Sequence, residues 1–236
     1  MTHKIVNADD FGMSKTVNTA IDYAFKNKII QRTTIMVNMP YAEEAMSMAI
    51  KGGYIDKVGL HVNLIEGKPL TSKINEYNLF GNNEFWSSKI NLLFIKKQVR
   101  NAIEEEVEAQ INKFFDLGGI CMHIDSHYHK HTMPSIVTCV IKPAKRHGFQ
   151  SMRISRNIGA NIGLLKKTHK KIINYIIRKN FSTSKYFGGI SDYDLNKIHL
   201  MDDFEVMIHP EIIDGKYVDI LDRNNLRCKP LKRIIE

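Results

Sequence analysis

The sequence predicts an α/β fold, namely a TIM-barrel-like β/α barrel of about seven strands. Short apolar runs rich in β-branched residues alternate with segments whose apolar residues recur at helical spacing. This alternation is typical of parallel strands joined by covering helices. Polar clusters follow most of the strand candidates, and the active site of a β/α barrel gathers at the carboxyl ends of its strands. Seven units favour a barrel, and an open sheet is the alternative.

The first strand candidate, Lys4–Ala8, ends at the carboxylate pair Asp9 and Asp10. Ser14 is expected to cap the helix that follows, because a serine hydroxyl can accept a hydrogen bond from a free amide of the first turn. Adjacent carboxylates raise each other's proton affinity unless a cation lies between them. We interpret the pair either as a metal ligand beside a general base or as a simple helix cap.

The next two strand candidates carry polar residues at or near their ends. Thr33–Val37 is β-branched and precedes Asn38, and the helix after it should end at the glycine pair 52–53. In residues 58–64, apolar side chains alternate with His61 and Asn63, which predicts that these two share one face of a strand. A lone strand histidine is more often a core residue than a ligand, but a histidine cluster farther along favours a ligand.

The region 65–95 is poorly periodic and is predicted to be a long loop insertion that contains Phe85 and Trp86. A loop of this length inside a compact domain is usually functional. The residues that follow, 99–115, show the apolar spacing of an amphipathic helix that should end at the glycine pair 118–119.

Four of the ten histidines lie at odd positions between His123 and His131, directly after the strand candidate Ile120–Asp125. If this segment is extended, residues two apart share a face, so the imidazoles and Asp125 would converge. Imidazole and carboxylate groups bind divalent metals, which can activate water. A solvated histidine-rich turn is the alternative, and the alternation is expected to hold only to about Asp125.

The remaining elements lie in the second half of the chain. Pro134 fits the first turn of another helix. The last strand candidates are Met152–Ser155, Tyr186–Ile190 and Phe204–Ile208. Within a site, Arg153 would orient a carboxylate and His209 would act as a general acid. The alternative for Arg153 is a surface charge, and the alternative for His209 is a simple strand-terminal histidine.

The composition is that of an ordinary globular protein, with 43% hydrophobic and 25% charged residues. No apolar run could span a bilayer, and no signal-peptide pattern or CxxC motif is present. We therefore expect a cytoplasmic protein with no membrane partner. The net charge is +9, and the densest run of basic residues is Lys166–Lys171. We interpret this run as the solvated face of an amphipathic helix, since no nucleic-acid-binding motif accompanies it.

Several motifs, in order along most of the chain, resemble the YdjC-like carbohydrate deacetylases, which include the chito-oligosaccharide deacetylases. These motifs are Val6–Gly12, Thr33–Asn38, Gly59–Leu64, Gly67–Leu70, His123–His131, Met152–Ile154 and His209-Pro210. The spans 156–203 and 214–236 match poorly. The resemblance implies one domain over residues 1–236 with a distorted barrel, and a hydrolase that removes the acetyl group from N-acetylated mono- or oligosaccharides.

The resemblance also implies a metal centre. One divalent ion would be bound by Asp10, His61 and His127. Family resemblance makes Mg²⁺ the first candidate. Zn²⁺ is the alternative, because two imidazoles and a carboxylate suit transition metals better than magnesium.

The same resemblance assigns catalytic roles. Asp9 would be the base, Arg153 would hold it, and His209 would be the acid. The residues expected to face the substrate are Asn38, Asn63, Trp86 and Asp125. Trp86 is included because aromatic faces stack on sugar rings, and Asp125 could alternatively orient the ligand imidazoles.

Three other functions stay open at this point. One is another barrel metallohydrolase such as a phosphoesterase, and a second is a non-catalytic sugar-binding protein. The third, a nucleic-acid binder, rests on charge alone. The expected partner is the sugar substrate without nucleic acid, and a homodimer is an open alternative.

Overall fold

In the computed structural model, which describes residues 4–88, 91, 93–159, 164–193 and 201–221, seven parallel strands curl into a half-barrel. The strands are β1 (Lys4–Phe11), β2 (Arg32–Ile35), β3 (Val58–Val62), β4 (His123–Ser126), β5 (Ser151–Met152), β6 (Tyr186–Gly189) and β7 (Phe204–Ile208). Their order in the sheet is β5-β4-β3-β2-β1-β7-β6. The predicted TIM-barrel-like α/β class, in a distorted form, is confirmed.

Helices connect these strands and pack against the sheet. The described α-helices are α1 (Lys15–Lys26), α2 (Ala42–Gly52), α3 (Asn83–Ser87), α4 (Lys97–Asp116), α5 (Val137–Arg146) and α6 (Leu164–Asn180). Short 3-10 turns cover Ile55–Lys57, Lys73–Tyr77, His127–Thr132 and Ile190–Asp192. None of the described helices is both long and apolar enough to cross a membrane.

Two predicted helix ends are confirmed. The Ser14 hydroxyl accepts a hydrogen bond from the Val17 amide at 3.2 Å and so satisfies a free donor of the first turn of α1. Gly53 ends α2 in the left-handed region, with φ of 70°, which glycine adopts without steric cost.

The barrel is not closed by strand pairing between β5 and β6 in the part of the chain that the structure describes. The segments that flank β5 bond instead to β6 and to the residues that precede it. The Ser182 amide donates to the Gln150 carbonyl at 2.9 Å, and the Asn157 amide donates to the Phe187 carbonyl at 3.1 Å. The side chains between the strand ends are therefore enclosed although the sheet is open.

All five residues of β3 are buried. A parallel strand covered by helices on one face and by the barrel interior on the other has no solvated side. The predicted alternation is therefore an alternation between two buried faces, and it places His61 in the interior of the half-barrel.

Several predicted boundaries are wrong. The strand expected at Ile120 begins only at His123, where pairing with β5 starts, and pairing with β3 starts at Ile124. The strand expected over Met152–Ser155 stops at Met152, because the next segment bonds to a helix; the Ser155 amide donates to the Asn174 side chain of α6 at 2.7 Å. Pro134 lies in the turn before α5 rather than in its first turn.

Two further differences concern loops. The region 65–95, predicted to be a long loop insertion, contains the 3-10 turn Lys73–Tyr77 and α3. The sequence analysis also missed an antiparallel hairpin after β7, formed by β8 (Pro210–Ile213) and β9 (Lys216–Asp219), which contacts α1. Residues 222–236, within a span that matched poorly, lie outside the described residues.

The lysine-rich stretch lies on α6. Lys167 and Lys171 are exposed, as expected for a solvated helix face. The side chain of Lys166 lies outside the part of the chain that is described.

Candidate active site

The carboxylate pair at the end of β1 lies in an irregular stretch of strand. The register between β1 and β2 shifts between Ala8 and Phe11, and Asp10 has a left-handed φ of 69°. Successive side chains of a regular strand point to opposite faces. The irregularity brings both carboxylates into one polar cluster, where Asp10 contacts two histidines and Asp9 bonds to an arginine. A left-handed conformation is uncommon for a residue with a side chain and concentrates at functional sites.

The structure brings the three predicted metal ligands together. Oδ1 of Asp10 lies 2.8 Å from Nδ1 of His127 and 3.3 Å from Nε2 of His61. The three side chains are all buried, and one ligand atom from each lies within 4.8 Å of the others. Burial favours the neutral acid, but hydrogen bonds from His127 and His61 outweigh it and hold the pKa of the Asp10 carboxyl well below its usual range.

Asp125 orients one of these imidazoles. Its Oδ1 lies 2.5 Å from Nδ1 of His61, and its Oδ2 accepts a hydrogen bond from the Thr34 hydroxyl at 3.2 Å. The Nδ1 hydrogen of His61 therefore points at Asp125, and its Nε2 faces Asp10. A carboxylate behind a histidine is the usual outer support of a metal-binding imidazole.

The Asp125 side chain is completely buried, and its expected contact with a substrate stays a prediction. Its place fits the other interpretation, orientation of a ligand imidazole. Burial lowers the pKa of His61, but Asp125 and Asp10 outweigh it and raise this pKa to about 10. A cation at Nε2 would replace the proton held there.

Arg153 connects the base candidate to the rest of the cluster. Its guanidinium is completely buried and donates two hydrogen bonds to Asp9, at 2.6 and 2.7 Å, in a bidentate arrangement. It also lies 2.8 Å from Asp125 and donates to Glu205 at 2.6 Å. Burial opposes its charge, but Asp125, Asp9 and Glu205 raise the pKa of Arg153 well above its usual value.

His209 follows β7, and its Nε2 lies 4.0 Å from Oδ2 of Asp9. The two groups are close but not hydrogen-bonded. The predicted acid and the predicted base thus flank the same point of the half-barrel, and the His209 side chain is 14% exposed.

The other histidines of the cluster do not join the three ligands. The strand ends at Ser126, and Tyr128 and His129 adopt left-handed conformations, so the shared face holds only for His123 and Asp125. His131 bonds to the Ser126 hydroxyl and to the Arg153 carbonyl, and burial lowers its pKa to about 4.

His123 lies at the other end of β4. Its Nδ1 bonds to the Ser151 hydroxyl at 2.9 Å. Burial, together with the charge of Arg32, lowers the pKa of His123 to about 3.

The side chains of two residues predicted to bind the substrate, Asn63 and Asn38, bond to the loop after β3. The Asn63 side chain is fully buried; its oxygen accepts from the amides of Ile65 and Glu66, and its nitrogen donates to the Glu66 carbonyl. Asn38 donates to the carbonyls of Glu66 and Lys68. Both side chains bond to the same loop, and their expected contacts with a substrate stay predictions.

Glu66 is a residue that the sequence analysis missed. Its Oε1 lies 3.4 Å from Nε2 of His127, and its side chain is 31% exposed. The signal was present, since Glu66 is the single charged residue between His61 and Gly67. It also lies just after β3, the strand that carries the ligand His61.

A cleft of about 620 Å³ opens beside Glu66. Its lining includes Phe80, Trp86, Tyr128 and Lys130. The Lys130 ammonium lies 5.0 Å from the centre of the Trp86 ring, and the indole N–H donates to the Leu79 carbonyl at 3.0 Å. Trp86 is only 7% exposed, and its contact with a substrate stays a prediction.

Among the described residues, three acidic and histidine groups are close enough to hold a metal ion. Asp10, His61 and His127 form the one whose donors fit best, because no lysine or arginine among the described residues bonds to its carboxylate. In the other two groups, Arg153 bonds to Asp9, Asp125 and Glu205. The arginine occupies the carboxylate oxygens that an ion would need.

Comparisons with known proteins found one matching family model and several similar sequences. A family model described as YdjC-like protein matches residues 4–232. A carbohydrate deacetylase of Clostridium beijerinckii is 30% identical over 98% of this chain and 90% of its own length. A carbohydrate deacetylase of Thermoanaerobacter pseudethanolicus is 32% identical over 93% of this chain and 85% of its own length.

A similar fold is present in a solved structure from Enterococcus faecalis V583, of a protein described as a candidate cellobiose-phosphate cleavage protein. It superposes with a TM-score of 0.65 at 24% identity and covers 89% of this chain and 81% of its own. At this identity the likeness shows the fold alone.

Proposed function

Because this chain belongs to the family of YdjC-like proteins, we propose that it is a carbohydrate deacetylase that hydrolyses the acetamide of an N-acetylated sugar. The observation that carries the proposal is the buried group Asp10, His61 and His127, with Asp9 and His209 beside it. This arrangement offers ligands for one divalent ion together with a separate base and acid.

The proposed ion would be held by Asp10, His61 and His127. When bound, it would polarise the acetyl oxygen and lower the pKa of a bound water. The donor chemistry favours Zn²⁺ or another transition metal, since Mg²⁺ prefers oxygen ligands. Family resemblance favours Mg²⁺, and the metal is therefore part of the test.

The protein's own groups would move the protons. Asp9, held by Arg153, would accept a proton from the attacking water, whose oxygen bonds to the acyl carbon. His209 would donate a proton to the sugar nitrogen as the carbon–nitrogen bond breaks. The products are acetate and a free sugar amine. Asp125 would keep the His61 ring in the required tautomer.

The cleft beside Glu66 supports a sugar as the substrate. A sugar ring presents apolar C–H faces and polar edges, and the cleft combines Phe80, Trp86 and Tyr128 with Lys130. We propose N-acetylglucosamine oligomers as the substrate class. We also propose that residues 1–236 form one domain, since the seven described parallel strands share one sheet.

The test is acetate release from N-acetylglucosamine oligomers by wild-type protein, before and after chelation, with Mg²⁺ and Zn²⁺ added back separately. Asp10→Asn and His127→Ala should each lower kcat/KM by at least about 100-fold, because each removes a direct ligand. His147→Ala is the matched control. That histidine follows α5 and bonds to Glu108 on α4, outside the cluster of Asp10, His61 and His127.

Full activity of the chelated protein, or of both ligand variants, would contradict the metal assignment. Release of phosphate from phosphorylated substrates in place of acetate would favour a phosphoesterase. Stabilisation by the sugar without acetate production would favour a non-catalytic binding protein.

A further inference from the structure

We propose that Glu66 is the positioning residue for His127 in the metal centre, as Asp125 is for His61. This inference rests on the proposed function, because it assigns a role toward the ion that the site would hold. The role predicted from the sequence for the loop 63–71 was a substrate contact by Asn63. No residue of this loop was predicted to support a metal ligand.

The first support is the environment of the His127 ring. Its Nδ1 lies 2.8 Å from Asp10, and its Nε2 lies 3.4 Å from Glu66. Nε2 is buried and has no hydrogen-bond partner among the described residues, so Glu66 is the acidic group placed to receive its hydrogen. With an ion bound and the ring hydrogen on Nε2, on the side of Glu66, Nδ1 would offer its lone pair to the ion in place of the hydrogen that it now donates to Asp10.

The second support is the similarity of the two imidazoles. His61 faces Asp10 with one nitrogen and Asp125 with the other. His127 likewise faces Asp10 with one nitrogen and a second carboxylate with the other. The inner nitrogens of both rings converge on Asp10, and the outer nitrogens diverge toward separate carboxylates.

The third support is the structure that holds Glu66. Its amide donates to Asn63 at 3.0 Å, and its carbonyl accepts from Asn63 at 2.8 Å and from Asn38 at 3.2 Å. Asn63 is in turn fixed to α4, because Gln110 accepts from its amide at 2.9 Å and donates to its carbonyl at 2.6 Å. Three amide side chains thus fix the backbone from which Glu66 reaches the ring.

The same loop is fixed a second time farther along. Glu106, which is buried on α4, accepts hydrogen bonds from the amides of Leu70 and Thr71. Burying a carboxylate is costly unless its hydrogen bonds are satisfied. The buried side chains of Glu106 and Gln110 both bond to this loop, which indicates that the position of the loop matters. Glu66 is the residue that the loop brings to the ligands.

The experiment measures the affinity of metal-free protein for Zn²⁺ by competition with a chromophoric chelator. Glu66→Leu should weaken binding 10–100-fold, which is the usual effect of removing an outer support of a ligand. Glu66→Gln should weaken it less, because the amide oxygen can still accept the hydrogen of the ring. The matched control is Glu105→Gln, whose carboxylate is 49% exposed and pairs with Lys73; it should leave the affinity unchanged.

Circular dichroism and the urea midpoint of each variant establish that the fold is intact, and the partly exposed position of Glu66 makes this the expected result. Glu66→Leu protein that binds Zn²⁺ as tightly as wild type overturns this inference and leaves the proposed function standing. Wild-type protein that binds neither Zn²⁺ nor Mg²⁺ overturns the metal centre and this inference together.

Discussion

Replacing Arg153 by methionine should destabilise the protein strongly, because it leaves buried carboxylates without their cation. The guanidinium is completely buried and bonds to Asp9 twice, at 2.6 and 2.7 Å, and to Glu205 at 2.6 Å. Removing one partner of a buried ion pair costs about 3–5 kcal/mol. Against a typical free energy of unfolding of about 5–15 kcal/mol, the variant should still fold.

The matched control is Arg146→Met. Arg146 also bridges two carboxylates, Glu104 and Glu108, but its side chain is 52% exposed. Solvent and salt screen such pairs, so this change should cost about 1 kcal/mol or less. Urea unfolding of both variants and of wild type, with the same slope on denaturant, gives the two differences directly.

The pH dependence supplies a second check. In wild type, burial raises the pKa of Asp125, but Arg153 outweighs it and holds this pKa below the ordinary range. Without Arg153 the Asp125 carboxyl loses one of the groups that oppose burial, while His61 remains, so its folded pKa should rise from the wild-type value. The penalty is then present above the raised pKa and declines as pH falls through it. The difference between wild type and Arg153→Met should therefore be smaller at pH 5 than at pH 7.5. A cost no greater than that of Arg146→Met, or a cost that grows on acidification, would refute this reasoning.

Three further predictions concern single side chains. Asp125→Asn should weaken Zn²⁺ binding about 10–100-fold in a chelator competition, because the support behind His61 is impaired; an unchanged affinity contradicts that support. Burial lowers the pKa of His131 to about 4, below the unfolded value of about 6.5, so about 3 kcal/mol of stability should be present above pH 6.5 and lost as pH falls toward 4. His131→Gln should flatten urea-derived stability over that interval, and an unaltered slope argues against it. His209→Asn should lower kcat for acetate release about 100- to 10,000-fold while Zn²⁺ affinity stays at the wild-type value, whereas a loss of affinity would place His209 among the ligands.

The parts of the site that lie at strand ends could be predicted from the sequence. Asp10, His61 and His209 each follow or end an apolar run, and the carboxyl ends of parallel strands meet at one edge of a sheet. Hydrophobic periodicity therefore indicated which residues would be neighbours although they are far apart in the chain. The family resemblance then distinguished ligands from the other histidines, which periodicity alone did not do.

The rest depends on contacts that carry no local signal. Gln110 bonds to Asn63 across a separation of 47 residues, and no sequence pattern near either residue predicts this pairing. The left-handed turns at Asp10 and Tyr128 occur in residues with side chains, where the sequence gives no glycine as a marker. For this reason Asn63 and Asp125 were expected at the substrate although both are buried, and Glu66 was overlooked.

The position of β1 in the sheet has a consequence for synthesis on the ribosome. β1 pairs on one side with β2, which follows soon after it, and on the other side with β7, at residues 204–208. At about 5–20 residues per second, roughly 10–40 s separate the emergence of the two strands. During that interval one edge of β1 has no partner, and an unpaired apolar edge invites intermolecular association. A nascent chain that pauses before residue 204 therefore exposes the strand that carries Asp9 and Asp10.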